Sequence, residues 1–370
     1  MIMETVLIDG STGEGGGQIL RTSLALSCIT GKSLHIENIR AARRNPGLAK
    51  QHLSCVQAAC QICNGQCQGA ALSSRVLDFQ PGKAQGSDFY FDIGSAGSAS
   101  LVIQTVLPAL FLADRPSTVT VTGGTHNPLA PPFDFLCETF LPAIATAGFR
   151  GDCKLIKHGF FPAGGGKITF DIQPWQEQSH QVINLCEPNE QVQIYARIYI
   201  AKLPAHIAQR QRKLLLESKL DIQNVEHIEV TDSDGPGNCV MIRLCGPAEG
   251  GLDPVQAHGL GRTTVFTAFG MRGKPSQEVI GEVVKLAEDF LASGAAVDRF
   301  LADQLLIYMA MNSHFAKYSK MGARSKGGCF TTNEVSTHLE TNMEVIKKFL
   351  PVDFSVDQEK QVYRISCQSM

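Results

Sequence analysis

Four groups of residues in this chain have types and spacing that could do chemistry. The run Gly13-Glu14-Gly15-Gly16-Gly17-Gln18 puts a glycine cluster between a strand pattern and the start of a helical one. Backbone N–H groups can approach an anion there, and the helix dipole reinforces them. No Gly-Lys-Ser/Thr follows and the spacing is not GxGxxG, so this is neither a Walker loop nor a dinucleotide fingerprint. A plain tight turn explains the glycines equally well. Glu14 would repel a phosphate unless a divalent cation stood between them. Arg21 lies on the helix that follows, Arg40, Arg43 and Arg44 precede Pro46, and Lys50 and Gln51 come just after it. Arginine forks bind phosphate oxygens bidentately, although a solvated edge is the ordinary reading of a charge run. Asp303 and Gln304 interrupt an apolar helical run from Leu301 to Ile307 and must find partners or a ligand. His338 is one of ten histidines. A neutral imidazole can attack phosphorus, but a lone histidine is more often a surface or core residue.

A repeated pattern of elements would have to position these groups. Residues 5–9 read as a buried strand, followed by the glycine turn and a helix with Ile19, Leu20, Leu24 and Leu26 apolar. A strand at 34–39, a turn at 44–47, a helix at 48–63 and strands at 76–79 and 88–93 follow. The order then recurs: the turn Gly94-Ser95-Ala96-Gly97-Ser98, a helix at 101–111, a strand at 118–122, a helix after His126-Asn127-Pro128, and a strand pair around 160–172. Asn45-Pro46 maps to Asn127-Pro128 and Arg21 to Gln104, at offsets of 82 and 83, which argues for duplication. Helices at 276–291 and 296–311 and a segment at 341–350 suggest a third unit. Between the second and third units, strands at 192–200, 225–230, 239–244 and 264–270 with a helix at 206–220 read as an insertion. The expected fold is α+β: a large repeat domain at 1–184 and 279–370, and a smaller inserted α/β domain at 185–278.

The 370 residues suffice for a large core, and a net charge of -2 excludes sequence-blind coating of nucleic acid. A local basic pocket for one phosphate stays open. No apolar stretch reaches ~18 residues and the start lacks a signal pattern, so a cytoplasmic protein with no membrane contact is expected. Twelve scattered cysteines, including Cys60, Cys63 and Cys67 at helical spacing, read as reduced small hydrophobes. Asp232-Ser-Asp234-Gly235 looks like a calcium loop, but Pro236 and the missing terminal glutamate favour a hairpin turn. Gly164-Gly165-Gly166 reads as a bend between strands.

Taken in order, these motifs closely resemble those of the RNA 3'-terminal phosphate cyclases. The resemblance rests on Ile8-Asp9-Gly10, Gly13 to Arg21, Ile39-Arg40, Pro46-Gly47-Leu48, Gln51-His52-Leu53 and Ile93 to Ser98. His158-Gly159-Phe160, Pro162 to Gly166, Gly235-Pro236-Gly237-Asn238 and Leu301 to Leu305 continue it to the C-terminal histidine segment. It implies three βαβαββ units with an inserted domain. The implied activity is ATP-dependent conversion of an RNA 3'-phosphate to a 2',3'-cyclic phosphate, with Mg2+ or Mn2+, through enzyme–histidine–AMP and RNA–adenylate intermediates. By the same resemblance His338, in a His-x-x-Thr context with Thr341, is the nucleophile. Gln104, Pro131, Phe300, Leu301, Ala302, Asp303 and Gln304 match ATP-binding positions, with Phe300 stacking on adenine opposite Pro131. Arg21, Arg40, Arg43 and Gln51 match those for the RNA 3'-phosphate, and Glu14 and Asp303 those for the metal. The partner is RNA with a 3'-terminal phosphate, and no obligate protein partner is evident. One departure is a basic stretch within 313–329, with Lys317, Lys320, Arg324 and Lys326. Two rivals remain: a non-catalytic paralogue acting as a ribosome-assembly scaffold, and an enolpyruvyl transferase, which would have no use for a nucleophilic histidine.

Overall fold

The computed structural model describes residues 4–176, 181–246, 262–316 and 326–370. Alternating side chains build the first sheet, β1 (Thr5–Asp9) turning Val6 and Ile8 inward. It leads through the glycine turn into α1 (Gly17–Thr30), followed by β2 (Ser33–Glu37), α2 (Lys50–Cys63), β3 (Gln66–Gln68) and β4 (Leu77–Gln80). The order is β1-β2-β4-β3, with β1 and β2 parallel and the other pairs antiparallel. Gly31 and Asn64, both left-handed, end α1 and α2.

The next stretch has the same connectivity. It contains β5 (Asp88–Asp92), α3 (Ala99–Leu110), β6 (Ser117–Gly123), α4 (Phe133–Phe135), a π turn at Leu136–Phe140, α5 (Leu141–Ala145), β7 (Gly151–Lys157) and β8 (Gly166–Ile172). Its sheet runs β5-β6-β8-β7. β9 (Ile183–Leu185) then starts a third sheet, which the chain leaves for β10 (Gln193–Ala201), α6 (Ala205–Leu216), β11 (Ile222–Val230), β12 (Gly237–Cys245), β13 (Thr263–Phe269) and α7 (Ser276–Ser293). These strands form their own sheet, β11-β10-β12-β13. The chain returns with α8 (Arg299–Ala316), β14 (Lys326–Thr332), α9 (Thr337–Phe349), β15 (Val352–Glu359) and β16 (Val362–Ser369). The third sheet is thereby completed as β9-β14-β16-β15. The fold is α+β, and three of its sheets share one order of parallel and antiparallel pairs.

α1 is the hub of the large domain. Ile19, Leu20, Leu24 and Leu26 are buried on it, and it packs against α2, α3 and α9, while α8 packs on α9. The N-terminal ends of α1, α2, α3, α8 and α9 therefore come from three units that are remote in sequence.

Several expectations need correction. α7 was placed with the third unit, yet Val279, Ile280, Val283 and Phe290 share a core with Ile198, Val240 and Phe266 of the inserted sheet. Its apolar face covers that sheet, so the packing assigns the helix to the insertion beyond the expected limit at 278. The turn at 232–235 is not a hairpin, because β11 and β12 lie on opposite sides of β10. Instead it docks on the second unit, where Asp234 meets Lys157 at 2.7 Å and Asp232 meets His158 at 3.1 Å. The last helix starts at Thr337 rather than 341, because Ser336 caps it by accepting from Leu339 N at 3.1 Å. Of the basic stretch, Lys317, Lys320 and Arg324 lie outside the described residues.

Candidate active site

The α9 cap decides where His338 goes. In the first turn of α9 its imidazole leans over the glycine turn before α1, with Nδ1 against Gln18 Oε1 and 4.0 Å from Glu14 Oε2. An amide oxygen can only accept, so Nδ1 carries the proton and Nε2 keeps its lone pair. Burial lowers the His338 pKa, Glu14 opposes this, and Arg43 and Arg21 add to it, which favours the neutral ring. About half of its side chain remains exposed, so the nitrogen is accessible.

The glycines let the turn close on α9. Gly13 has φ 55°, and a Cβ there would run into Thr341 Oγ1. That hydroxyl accepts from Glu14 N at 3.1 Å and donates to Thr337 O at 2.6 Å, tying the turn to the histidine helix. A Cβ at Gly16 would fill the space held by Glu14 and Arg43, and one at Gly17 that of His52 and Arg21. Glu14 accepts from Arg43 Nη2 at 2.7 Å and from Gln18 N at 3.2 Å.

Arg21, Arg40 and Arg43 gather at this turn, close enough that each influences the charge of His52 beneath them. Burial, followed by these three cations, pushes the His52 pKa down to about 3. His52 is thus a buried neutral imidazole, and its Nδ1 has no partner among the described residues. Burial also lowers the Arg21 and Arg40 pKa values. Arg40 is held with φ 57° while its Nη1 donates to Gly47 O at 2.7 Å. Gln51 reaches the second glycine turn, its Oε1 accepting from Ser98 N at 2.6 Å, and Lys50 Nζ donates to Gly94 O at 3.3 Å. The two glycine turns therefore both meet the start of α2.

On the other flank, α8 contributes Asp303 and Gln304. Gln104 Nε2 donates to Gln304 Oε1, and Gln304 Nε2 donates to Phe300 O at 2.7 Å. The Gln18 side chain also lies near enough to the Asp303 carboxylate to lower its pKa, so one amide stands close to both His338 and Asp303. Burial and then Asp298 push the Asp303 pKa up to about 7, against the pull of Gln18 and Arg21. Phe300 is 40% exposed, with Arg299 Cζ 4.8 Å above its ring. The Pro131 carbonyl accepts from Ser100 at 2.6 Å, which fixes it to the start of α3. Leu301 and Ala302 are buried in the core, so their side chains have nothing to offer a ligand.

Reading residues singly left out several contributors. Gln18 was visible within the glycine run, but its place between His338 and Asp303 exists only after folding. Asn342 accepts from Thr22 at 2.6 Å and donates to Asp303 O at 2.8 Å, pinning α1, α8 and α9 together. Asp298 caps α8, accepting from Phe300 N at 2.8 Å and Leu301 N at 3.2 Å, while its buried Oδ2 has no partner among the described residues. No group of three or more His, Cys, Asp or Glu suited to a metal occurs among the described residues. The carboxylates of Glu14 and Asp303 both lie beside Gln18, and carboxylate oxygens are the donors that a magnesium-like ion takes.

An accessible neutral imidazole beside a carboxylate, facing clustered arginines at a helix start, is the equipment of an enzyme that transfers groups at phosphorus. Comparison with known proteins agrees. A family model described as RNA 3'-terminal phosphate cyclase matches residues 12–356. A protein from Koribacter versatilis named RNA 3'-terminal phosphate cyclase is 41% identical, with 98% of this chain and 95% of its own length covered. Proteins of the same name from Ralstonia nicotianae (41% identical; 98% and 96% covered) and Pseudomonas fluorescens (40%; 100% of both) match over comparable lengths. The chain belongs to the RNA 3'-terminal phosphate cyclase family.

Proposed function

We propose that this protein converts an RNA 3'-terminal phosphate to a 2',3'-cyclic phosphate at the expense of ATP, with His338 as the nucleotide carrier. The observation that carries the reading is the placement of the ring: His338 Nδ1 lies against Gln18 Oε1 on a half-exposed side chain beside the arginine-lined turn, which suits a neutral ring with Nε2 as the nucleophile. In the first step Nε2 attacks the α-phosphorus of ATP, an N–P bond forms, and pyrophosphate leaves. An oxygen of the RNA 3'-phosphate then attacks the same phosphorus, and the N–P bond breaks. Finally the neighbouring 2'-hydroxyl attacks the 3'-phosphorus, losing its proton as AMP departs. A terminal phosphate lacks a good leaving group, and adenylylation supplies one; the 2'-hydroxyl is already adjacent, so little entropy is lost.

In this reading Gln104, Gln304, Asp303, Phe300 and Pro131 receive ATP, while Arg21, Arg40, Arg43 and Gln51 receive the RNA terminus. Glu14 and Asp303 would hold a divalent cation, which would neutralise charge on the reacting phosphates. The test is incubation with α-labelled ATP and Mg2+ or Mn2+ in the absence of RNA. Wild type should acquire label that is acid-labile and alkali-stable, as a phosphoramidate is, and His338→Ala should acquire none. An unlabelled wild type, or a fully labelled variant, would falsify the assignment.

A further inference from the structure

The outer face of the third sheet carries a feature that nucleotidyl transfer does not use. The Sγ atoms of Cys186 and Cys329 are 3.0 Å apart, and both are free, partly exposed thiols. The parallel pairing of β9 with β14 aligns Asn184 with Cys329 and Leu185 with Phe330, which brings Cys186 diagonally beside Cys329. Their backbone setting is held from two sides, since Thr331 Oγ1 donates to Cys186 O at 3.0 Å and Arg364 Nη1 to Cys186 Sγ at 3.1 Å. Cys28 and Cys63, by contrast, are 4.0 Å apart and buried in the core.

We propose that Cys186 and Cys329 are a site of reversible oxidation that forms a disulfide on exposure to a peroxide. The sulfurs need to close by only about 1 Å to reach a bond of about 2.05 Å. Burial and then the hydrogen bond with Cys329 push the Cys186 thiol up to about 12, against the pull of Arg364, and in the proposed sequence Cys186 resolves while Cys329 attacks. Its thiolate attacks one peroxide oxygen, the O–O bond breaks, and the departing hydroxide takes a proton to become water. Cys186 sulfur then attacks the resulting sulfenic acid, and a second water leaves with the Cys186 proton. Two thiols are oxidised and one peroxide is reduced, so no further reagent is needed. The bond would join the strand entering the insertion to β14, which runs into the turn carrying Ser336 and His338.

The test treats the full-length protein with hydrogen peroxide, blocks free thiols with N-ethylmaleimide, and maps peptides by mass without reduction. The expected result is one cross-link joining the peptides of Cys186 and Cys329, lost on treatment with dithiothreitol. Cys186→Ser should instead retain a sulfenic acid at Cys329 that dimedone traps. Full blocking of both thiols after peroxide, or a cross-link confined to other cysteines, would overturn the proposal. Mapping the wild type decides the matter even if the serine variant folds poorly.

Discussion

A single amide, Gln18, does much to define His338. Its Oε1 against Nδ1 favours the tautomer that leaves Nε2 free, and the same side chain lies near enough to Asp303 of α8 to lower its pKa. The two arginines nearest the turn differ in the same way. Arg40 is bound to Gly47, whereas Arg43 neutralises Glu14, which lies 4.0 Å from the His338 ring. Arg40→Ala is therefore expected to weaken use of 3'-phosphate RNA while leaving self-adenylylation near wild type. Arg43→Ala should slow both by roughly tenfold, the effect of about 1.4 kcal/mol on a barrier. Single-turnover labelling with and without RNA separates these outcomes; identical behaviour of the two variants would contradict the division. His52 gives a pH prediction. Its folded pKa near 3 is depressed from an ordinary 6.5, so its contribution to stability is complete above pH 6.5 and is lost as pH falls below that. Between pH 7 and pH 5 the loss amounts to about 2 kcal/mol. Urea unfolding at the two pH values should register that loss in wild type and much less of it in His52→Gln.

At the scale of elements, α9 is held by its cap and by α1. Ser336 satisfies Leu339 N at 3.1 Å, and Asn342 ties the helix to Thr22 and to the Asp303 carbonyl. Ser336→Ala should cost about 1 kcal/mol of stability. Because His338 is in the first turn, the variant should also lose labelling rate out of proportion to that small destabilisation. Thermal melting and labelling kinetics on the same preparation provide the comparison, and unchanged labelling would mean the cap is not needed to place the ring. The position of this helix start was hard to read. Residues 337–340 have a mixed Thr-His-Leu-Glu pattern with weak periodicity, and only the contacts with α1 and the glycine turn make the first turn worth forming. α7 illustrates the same limit. Its apolar stripe was evident, but a stripe does not name the sheet it covers.

For the whole molecule, the insertion is fastened to the second unit by buried charge. Asp134 accepts from Arg197 at 2.8 Å, Tyr199 at 2.6 Å and His126 Nε2 at 2.9 Å, and Glu138 pairs with Arg243 at 2.6 Å. Removing one partner strands a buried charge, so Arg243→Met should destabilise by about 3 kcal/mol. Differential scanning calorimetry should register it as a lower melting temperature, and an unchanged one would show that Glu138 is satisfied by Arg197 alone. Landmarks such as Asn45-Pro46 and Asn127-Pro128, together with the glycine turns, made the α+β class and the residues proposed for the site legible, because each needs only a local residue pattern. The sequence by itself determined which chemical groups were available: one His-x-x-Thr segment, a carboxylate in a glycine turn and arginines before a proline. Tertiary structure alone decided which groups meet. The hydrogen bonds between His338 and Gln18 and from Gln104 to Gln304 each join residues hundreds of positions apart in the chain. Such pairings depend on how helices from separate sheets pack around α1, and no local propensity encodes that packing.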